Sequence, residues 1–278
     1  MTILITGARG TVGSGLLRRL HGLGLDVRAS SRHPEQLAVP AGVPVTTLDL
    51  ARPDTFGPAL AGVTDLFLYA EPAGIDALLA AATAAGVERV VLLSSSAVTE
   101  PGAEHEPLAR HHLMVERALL ASPLAGTLLR PGAFASNALG WSHAIRAGGA
   151  VEQAYPDAHI APIHPEDIVD VAELALTEHN LDGRAVALAG PESLSFRDQV
   201  AVLAELLGRP IELHELTREQ AVERMGRYLP APVVQSLLNY WSGALDGLAG
   251  AADSVQRITG RPGRTFRQWA SQHLTAFG

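Results

Sequence analysis

The chain has 278 residues, enough for one large domain or two modest ones with buried cores. Apolar residues make up 47% of it and charged residues 18%, the balance of a folded globular protein rather than a disordered one. Its 21 Lys and Arg against 29 Asp and Glu give a formal net charge of −8, which disfavours nucleic-acid binding. Cysteine is absent, which excludes disulfides, thiolate catalysis and cysteine-ligated metals.

The sequence predicts no membrane segment. The longest apolar region, 77–93, is interrupted by Gly86, Glu88 and Arg89. The first apolar run is broken at once by Thr6-Gly7, and no charged segment precedes it, so no secretory signal peptide is expected. We therefore expect a soluble, cytoplasmic protein that does not bind a membrane.

Short apolar runs alternate with amphipathic stretches through the first half of the chain. The apolar runs predict six strands, at 2–6, 26–31, 43–48, 65–70, 87–94 and 126–130. Helices are predicted at about 75–85, at 106–121, and after the first strand, where the apolar face consists of Val12, Leu16, Leu17 and Leu20. This alternation predicts an α/β fold with a doubly wound, parallel Rossmann sheet.

The second half of the chain is less regular. Pro165, with two acids after it, predicts a helix through Leu176. One more strand is predicted at 184–189, and helices at 195–207, at 218–228 and after Pro230-Ala-Pro232. We expect a dinucleotide-binding domain over 1–137, to which 165–190 returns, and a smaller, mostly helical lobe within 138–278. That lobe is discontinuous and would bind substrate over the carboxyl ends of the strands.

A glycine-rich turn lies between the first strand and the first helix, in the segment Gly7-Ala-Arg9-Gly10-Thr11-Val12-Gly13. Glycines at these positions allow a tight turn, close approach of the backbone to a pyrophosphate, and close packing of helix on strand. The helix N-terminus adds free N–H donors for the anion. Because strand, glycines, helix and second strand follow in the required order, the turn predicts a nicotinamide dinucleotide rather than a purely structural bend.

The end of the second strand distinguishes NADP(H) from NAD(H). An acid there binds the ribose 2′-hydroxyl, whereas an arginine accommodates a 2′-phosphate. This chain has Ser30-Ser31-Arg32, and Asp26 is at the opposite end of the strand. Arg9 in the turn could supply a second guanidinium. We therefore expect NADP(H), with NAD(H) as the alternative; the competing interpretation is that both arginines are ordinary solvated charges.

These segments resemble the NmrA-like atypical short-chain dehydrogenases, above all their NADPH:quinone oxidoreductase and triphenylmethane-reductase-like branch. The resemblance covers nearly the whole chain. Its least ambiguous segment is Leu129-Arg-Pro-Gly-Ala-Phe134, followed by Asn137. The other segments are the glycine turn with Thr6, Val27-Arg-Ala-Ser-Ser-Arg32, Ala84-Ala-Gly-Val-Glu-Arg-Val-Val91 running into Ser94-Ser-Ser96, His112-Leu-Met-Val-Glu116, and Ile163-His-Pro-Glu-Asp-Ile168.

The resemblance implies where cofactor and substrate lie. The nicotinamide would be near Ser94, His112 and Pro131-Gly132-Ala133. Asp49 and Leu50 would lie beside the adenine, and Tyr69-Ala70-Glu71 along the dinucleotide. Substrate would enter between the lobes, near Ser95, Phe134, Asn137, Trp141 and His164, although aromatic residues such as Phe134 and Trp141 more often belong to a core.

The chain departs from typical short-chain dehydrogenases at the catalytic dyad. Those enzymes carry Tyr-x-x-x-Lys on the helix after the fifth strand, where the tyrosine is the acid. Here Leu108 occupies the tyrosine position and His112 the lysine position. Leucine cannot exchange a proton, so the usual tyrosine-dependent carbonyl reduction is not expected. The quinone-reductase-like branch also carries histidine at this position.

His112 is the weak catalytic candidate, because a histidine can orient the cofactor or relay a proton; alternatively it only packs. Ser94 and Ser95 close the fifth strand, where a hydroxyl could contact nicotinamide or cap the next turn. Arg130, just before Pro131, could be an ion-pair partner that serves the structure alone. The acids after Pro165 are explained by helix initiation. No metal site is expected, since His105, His111 and His112 lack the spacing of ligands on one helix face.

The function predicted is NADPH-dependent hydride transfer to a small, planar, conjugated acceptor such as a quinone. The protein would contribute mainly proximity and orientation. Two alternatives remain open. One is a non-catalytic redox sensor that binds the dinucleotide and signals to a protein partner, and the other is a biosynthetic tailoring reductase or isomerase.

Overall fold

A seven-stranded sheet organises the first part of the computed structural model, which describes residues 1–245 and 253–278. Numbered in chain order, its strands are β1 Thr2–Ile5, β2 Asp26–Ser31, β3 Val45–Thr47, β4 Asp65–Tyr69, β5 Arg89–Leu93, β6 Ala125–Pro131 and β9 Ala185–Leu188. Their order across the sheet is β3-β2-β1-β4-β5-β6-β9. The five neighbouring pairs from β3 to β6 are all parallel. The predicted Rossmann fold class is confirmed.

The strand order reverses at the neighbouring strands β1 and β4. In the chain, β1 is followed by β2 and β3 on one side, and then β4 returns to the other side of β1. In open parallel sheets, ligands bind beyond the carboxyl ends of the strands at such a reversal. Residues 3–5 of β1 are fully buried, as expected for a strand covered on both faces. The turn after β1 is therefore at the position where this fold binds dinucleotides.

Helices cover the sheet between successive strands. They are α1 Thr11–Gly22, α2 Phe56–Leu60, α3 Ile75–Ala85, α4 Pro107–Ala121 and α6 Pro165–Thr177. The face predicted for α1 is the one that is buried: Val12, Leu16, Leu17 and Leu20 are each at most 4% exposed. These side chains recur at helical spacing, so that burying one face stabilises the helix against the sheet.

The remaining helices are α5 Ser142–Arg146, α7 Phe196–Leu207, α8 Arg218–Met225, α9 Ala231–Gly243, α10 Ser254–Thr259 and α11 Phe266–Gln272. Predicted helix 195–207 begins one residue later, because Ser195 is its N-cap and exchanges hydrogen bonds with Asp198 in a capping box. Predicted helix 218–228 ends at Met225, where Gly226 follows as the C-cap.

Two small sheets, which the sequence analysis did not predict, lie among these helices. One pairs β7 Val151–Ala154 with β11 Leu213–Leu216 in parallel. The other pairs β8 His159–Ile160 with β10 Leu194–Ser195 in antiparallel. The predicted mostly helical lobe thus contains sheet as well.

The chain divides into two compact units. The first consists of Met1–His105, Ala109–Pro131 and Ile168–Ala187, and the second of Glu106–Leu108, Gly132–Asp167 and Leu188–Gly278. Each unit has its own apolar core. Leu4, Phe56 and Leu92 belong to the core of the first, and Val151, Phe266 and Trp269 to that of the second. Across residues 1–245 and 253–278, no helix is both long and apolar enough to span a bilayer.

Candidate cofactor and substrate sites

The three glycines of the turn meet different demands. Gly7 has a φ of +61°, and a Cβ on it would lie 2.9 Å from the Tyr69 Cβ. A Cβ on Gly13 would lie 2.4 Å from the Gly7 carbonyl oxygen. Both positions therefore exclude a side chain on grounds of folding alone. Gly10 has an ordinary φ of −73°, and a Cβ there would meet only the Gly7 carbonyl oxygen, at 3.3 Å. Its lack of a side chain is better explained by a molecule lying over the turn.

The N-terminus of α1 can accept an anion. Gly10 is the N-cap and offers no side chain to the first amides of the helix, and the first turn carries no acid. The Gly10 N–H bonds the Gly7 carbonyl at 2.9 Å, which closes the turn beneath these amides. Free N–H groups and the positive end of the helix dipole together bind phosphates. The residues present thus fit a dinucleotide pyrophosphate.

The end of β2 carries a cation and no carboxylate. Ser30 is buried and donates to the Ile5 carbonyl at 3.2 Å, while the Ser31 hydroxyl accepts the His33 N–H at 3.0 Å. Arg32, directly after the strand, is exposed. Asp26 begins the strand and accepts a hydrogen bond from Thr2, so it lies at the amino edge, as expected.

Arg9 and Asp49 are held by local contacts. The Arg9 guanidinium is exposed and reaches the Gln36 side chain at 3.4 Å. The Asp49 carboxylate accepts the Ala51 N–H at 3.1 Å and thereby shapes its own turn. That turn continues through Leu50, whose carbonyl would lie 2.3 Å from a Cβ on Gly74, so that only glycine permits this approach.

The segment after β4 borders the glycine turn. Tyr69 is 54% exposed beside Gly7, and its backbone N–H bonds the Thr6 hydroxyl at 2.7 Å. Ala70 is buried, and its carbonyl lies 3.2 Å from the His111 Nε2, which fastens α4 to this segment. Glu71 is exposed and its carboxylate accepts the Ala73 N–H. Tyr69 thus places an aromatic face beside the turn.

Ser94, Glu116 and Arg130 form a buried polar network at the carboxyl ends of β5 and β6. The Ser94 hydroxyl donates to Glu116 at 2.6 Å, and Arg130 donates to both Glu116 oxygens, at 2.9 and 2.6 Å. The ion pair considered for Arg130 is observed. The Ser94 hydroxyl is engaged within the protein, and the Ser95 hydroxyl accepts the Ala97 N–H as an N-cap. The network fixes strand ends and helix rather than presenting free hydroxyls.

His112 is a largely buried imidazole without a partner at Nδ1 in the described part of the chain. Burial lowers its pKa to about 4, and the neighbouring His111 adds to the effect, against an opposing influence of Glu116. His112 is therefore neutral near pH 7: it can donate one hydrogen bond and accept another, but it holds no imidazolium proton to give as a general acid. Leu108, four residues earlier on α4, supplies no proton either.

The residues after β6 lead into the second unit. Pro131 ends the strand. Gly132 donates its N–H to the Leu188 carbonyl at 2.9 Å, and the Ile163 N–H bonds the Ala133 carbonyl at 2.8 Å. Phe134 forms a parallel bridge with Ile163. Backbone hydrogen bonds thus hold Gly132 and Ala133 in place.

The residues predicted for substrate binding have unequal freedom in the second unit. His164 is buried with both ring nitrogens engaged: Nδ1 accepts the Glu166 N–H, and Nε2 lies 3.1 Å from the Gln272 side chain. Burial lowers its pKa, so it is neutral. Asn137 is exposed, and Trp141 is half-buried against Phe196. His164 therefore has a structural task, whereas Asn137 and Trp141 keep accessible surface.

The ion pairs of Glu116 and Asp167 were not predicted from the sequence. Glu116 served only as a reference for counting along α4, yet it is the centre of the buried network. Asp167 was attributed to helix initiation, and it also pairs with Arg264, nearly a hundred residues away. Only the apolar surroundings of Glu116 in the sequence hinted that it is buried and paired; nothing local identifies Arg264.

Comparison with known families and structures places the chain. The NAD(P)H-binding family matches residues 7–164, more than half of the chain. A relative from Streptomyces griseus subsp. griseus, (4-alkanoyl-5-oxo-2,5-dihydrofuran-3-yl)methyl phosphate reductase, is 39% identical over 99% of both chains. The NAD(P)H azoreductase of Xenophilus azovorans is 32% identical, again over 99% of both chains.

Solved structures show the same fold. Triphenylmethane reductase from Citrobacter sp. superposes with a TM-score of 0.84 at 20% identity, over 99% of this chain and 100% of that one. An NADPH-dependent quinone oxidoreductase from Escherichia coli gives 0.83 at 24% identity, over 98% and 99%. Both proteins also have structures in complex with NADP(H) or NADPH.

A Rossmann sheet whose glycine turn opens a helix at the strand-order reversal defines a nicotinamide-dinucleotide-binding oxidoreductase. The chain belongs to the NAD(P)H-binding family, within its NmrA-like branch, and it is an NAD(P)H-dependent reductase. The resemblance noted in the sequence is thereby confirmed.

Proposed function

We propose that the protein uses NADPH to reduce a carbon–carbon double bond made electron-poor by conjugated carbonyl groups, and that water protonates the product. The observation that carries this proposal is the pairing of a complete dinucleotide turn with a helix α4 that has no proton donor at the tyrosine and lysine positions of the usual dyad. Leu108 has no proton to give, and His112 is already neutral at physiological pH. Such a site suits acceptors that take hydride without simultaneous protonation.

The relatives' acceptors share this chemistry. A 4-alkanoyl-5-oxo-2,5-dihydrofuran has a ring double bond conjugated at one end with two carbonyls, an azo group is an electron-poor double bond, and a quinone is a conjugated diketone. We infer the acyl-dihydrofuranone as the first substrate class, because that relative has the higher identity over full length. A quinone is the alternative acceptor for the same site.

The bound nicotinamide supplies the hydride. For an acyl-dihydrofuranone, hydride adds to the ring carbon that bears the hydroxymethyl group, the electron pair moves onto the carbonyls as an enolate, and a proton from water completes the reduction. The net change consumes one NADPH and one proton per double bond. The protein's part is to hold and orient both reactants. The Gly7–Gly13 turn would hold the pyrophosphate. The buried Ser94–Glu116–Arg130 network fixes the carboxyl ends of β5 and β6.

The reaction is tested by following NADPH consumption and product formation with a (4-alkanoyl-5-oxo-2,5-dihydrofuran-3-yl)methanol and with para-benzoquinone. We expect equimolar consumption and product. Deuteride from labelled NADPH should appear at the hydroxymethyl-bearing ring carbon, and deuterium from D₂O at the adjacent carbon. Reduction of a ketone to an alcohol instead, or no turnover of either acceptor by protein that binds NADPH, would contradict the proposal.

We also propose that Arg32 selects NADPH through the ribose 2′-phosphate. Arg32 follows β2 directly, is exposed, and forms no ion pair within the residues that the structure describes. Arg32→Asp should weaken NADPH binding at least about tenfold, since a charge-assisted contact becomes a repulsion, while NADH binding is preserved. Calorimetric titration with both cofactors measures this. Arg18→Asp, an equal charge change at an exposed site on α1, is the control; unchanged NADPH affinity in Arg32→Asp would refute the assignment.

A further inference from the structure

A second arginine, Arg218 in the second unit, is held in place by uncharged groups. Its Nη2 donates to the Gln235 side chain at 2.7 Å and to the Asn239 side chain at 2.8 Å, and its Nη1 reaches the Tyr155 hydroxyl at 3.5 Å. Within residues 1–245 and 253–278 it forms no ion pair. Three of five guanidinium N–H donors are used in this way, so two donors and the full positive charge remain available.

The surrounding elements bring these groups together. Since β7 and β11 are parallel, with Ala154 opposite Leu216, the residues that follow both strands meet at one edge. Tyr155 follows β7, and Arg218 begins α8 two residues after β11. Gln235 and Asn239 are one turn apart on α9 and form a paired acceptor for one guanidinium nitrogen.

The backbone at Tyr155 adds a second observation. With a φ of +52°, Tyr155 is one of two non-glycine residues with a left-handed backbone in the described part of the chain. Residues held in that region often belong to ligand-binding sites, because the rest of the structure must over-determine them. The Tyr155 ring packs in an aromatic cluster with Trp241, Phe196 and Trp141, where Phe196 and Trp241 are 5.2 Å apart.

Two contacts inside the second unit connect Arg218 to residues of the proposed reaction site. Ala133, implied at the nicotinamide by family resemblance, packs on the same aromatic cluster as Tyr155. Ser236, next to Gln235 on α9, donates to Glu106 at 2.6 Å, two residues before Leu108. An acceptor that lies on the aromatic cluster would therefore bind to the same unit that carries Arg218.

The acid nearest in sequence does not neutralise Arg218. The pKa of Glu219 is lowered first by hydrogen bonds from its own backbone N–H and from Thr217, and only then by the charge of Arg218. Its carboxylate is thus directed to the start of α8. An arginine that forms no ion pair within the described residues, and that is oriented by amides and a phenol, matches the recognition of phosphate, to which planar guanidinium donors are well suited.

We infer that Arg218, held by Tyr155, Gln235 and Asn239 beside the aromatic cluster, binds the phosphate of a phosphorylated acceptor. This inference rests on the proposed function and specifies its substrate further, as a conjugated acyl-dihydrofuranone that carries a negatively charged phosphate monoester. The cluster contacts the planar ring and its alkanoyl chain, and Arg218 binds the phosphate at the other end.

The test compares a 4-alkanoyl-5-oxo-2,5-dihydrofuran-3-ylmethyl phosphate with the corresponding alcohol. We expect wild-type kcat/KM to favour the phosphate at least about tenfold, mainly through KM. Arg218→Gln should reduce the ratio of the two kcat/KM values at least about tenfold, and Arg218→Lys, which keeps the charge but not the planar fork, should retain part of the preference. Arg227→Gln, at an exposed arginine paired with Glu223, is the matched control and should keep the wild-type ratio.

Calorimetry with phenyl phosphate and phenol separates this site from the reaction. Arg218-dependent binding of phenyl phosphate, without turnover of either dihydrofuranone or of para-benzoquinone, would support the anion site and refute the proposed function. Equal turnover of phosphate and alcohol by the wild type would refute the anion site and leave the proposed function standing. A parallel loss on both substrates with a lowered Tm in Arg218→Gln and Arg218→Lys would show a merely structural arginine and overturn the inference.

Discussion

At the scale of single residues, the environment of His112 decides what it can do. Its Nδ1 is buried and lacks a partner among the described residues, so a positive charge on the ring would be poorly solvated. Burial, followed by His111, lowers the pKa from 6.5 to about 4. A neutral imidazole can position a cofactor through one hydrogen bond. It cannot replace the missing tyrosine as a proton donor near pH 7.

Protonation of His112 should destabilise the fold in acid. The folded pKa lies below the unfolded one, so stability is complete above pH 6.5 and is lost as the pH falls toward 4. Between pH 7 and pH 5 the loss attributable to this residue is about 2 kcal/mol. Urea unfolding of wild type and His112→Leu at both pH values measures it, and the variant should lose about 2 kcal/mol less. The exposed His105→Leu should behave as wild type; an identical loss in wild type and His112→Leu would show that His112 does not couple to folding.

The buried network shows which residue roles a sequence can predict. Ser94 was placed correctly at the end of a strand, yet its hydrogen-bond partner lies 22 residues away on α4. Arg130 was considered as an ion-pair partner within the structure, and it does pair with Glu116. The identity of Glu116 as the shared partner depends on the packing of α4 against β5 and β6, which one sequence does not specify. The predicted cofactor and substrate contacts remain predictions.

At the scale of elements, the glycine turn separates the needs of folding from those of binding. Gly7 and Gly13 are required by the close contact between their own backbones and by Tyr69. Gly10 has an ordinary φ, and a Cβ there would meet only the Gly7 carbonyl oxygen, at 3.3 Å, so the fold requires glycine less strictly at this position. In the sequence the three glycines form one motif. Only their contacts and backbone angles in the structure distinguish their roles.

Alanine substitutions should reveal this difference. Gly13→Ala forces a Cβ to within 2.4 Å of the Gly7 carbonyl and should cost about 2–3 kcal/mol of unfolding free energy. Gly10→Ala, at an N-cap where glycine is preferred to alanine, should cost less, about 0.5–1 kcal/mol. It should nevertheless weaken the binding of NADPH, because on the proposed placement of the cofactor the added methyl group would face the pyrophosphate. Chemical denaturation and calorimetric titration of both variants provide the comparison. Equal destabilisation by the two substitutions would contradict this division of roles.

Elements with a strong periodic pattern were predicted well, and short ones were not. The helix at 75–85 and the strand at 26–31 have the predicted bounds, because their ends coincide with glycine or with a change of polarity. Strands β8 and β10 have two residues each, too few for any alternation to be visible. Strands β7 and β11 pair across about sixty residues. Such pairing depends on tertiary packing rather than on local sequence.

At the scale of the whole molecule, the alternation of strands and helices was sufficient to predict the parallel Rossmann sheet, because strand connections in such sheets obey few alternatives. The second unit illustrates the limit. Its core draws on residues as distant as Val151 and Phe277, and Arg218 and its partners come from three separate segments. No local pattern identifies such a cluster. The substrate-binding part of a reductase is accordingly less accessible from sequence than its cofactor turn.

Binding of the cofactor should stabilise the whole chain by mass action. A ligand that binds only the folded state adds RT ln(1 + [L]/Kd), about 2.7 kcal/mol at a hundred times Kd. For a chain of this length the corresponding rise in Tm is about 5 °C. Differential scanning fluorimetry with NADPH and NADH, each at a hundred times its own Kd, should give similar shifts, whereas equal concentrations should favour NADPH. Gly10→Glu places a carboxylate against the pyrophosphate and should abolish both shifts without lowering the Tm of the free protein by a comparable amount. An undiminished NADPH shift in Gly10→Glu would mean that the dinucleotide does not lie over this turn.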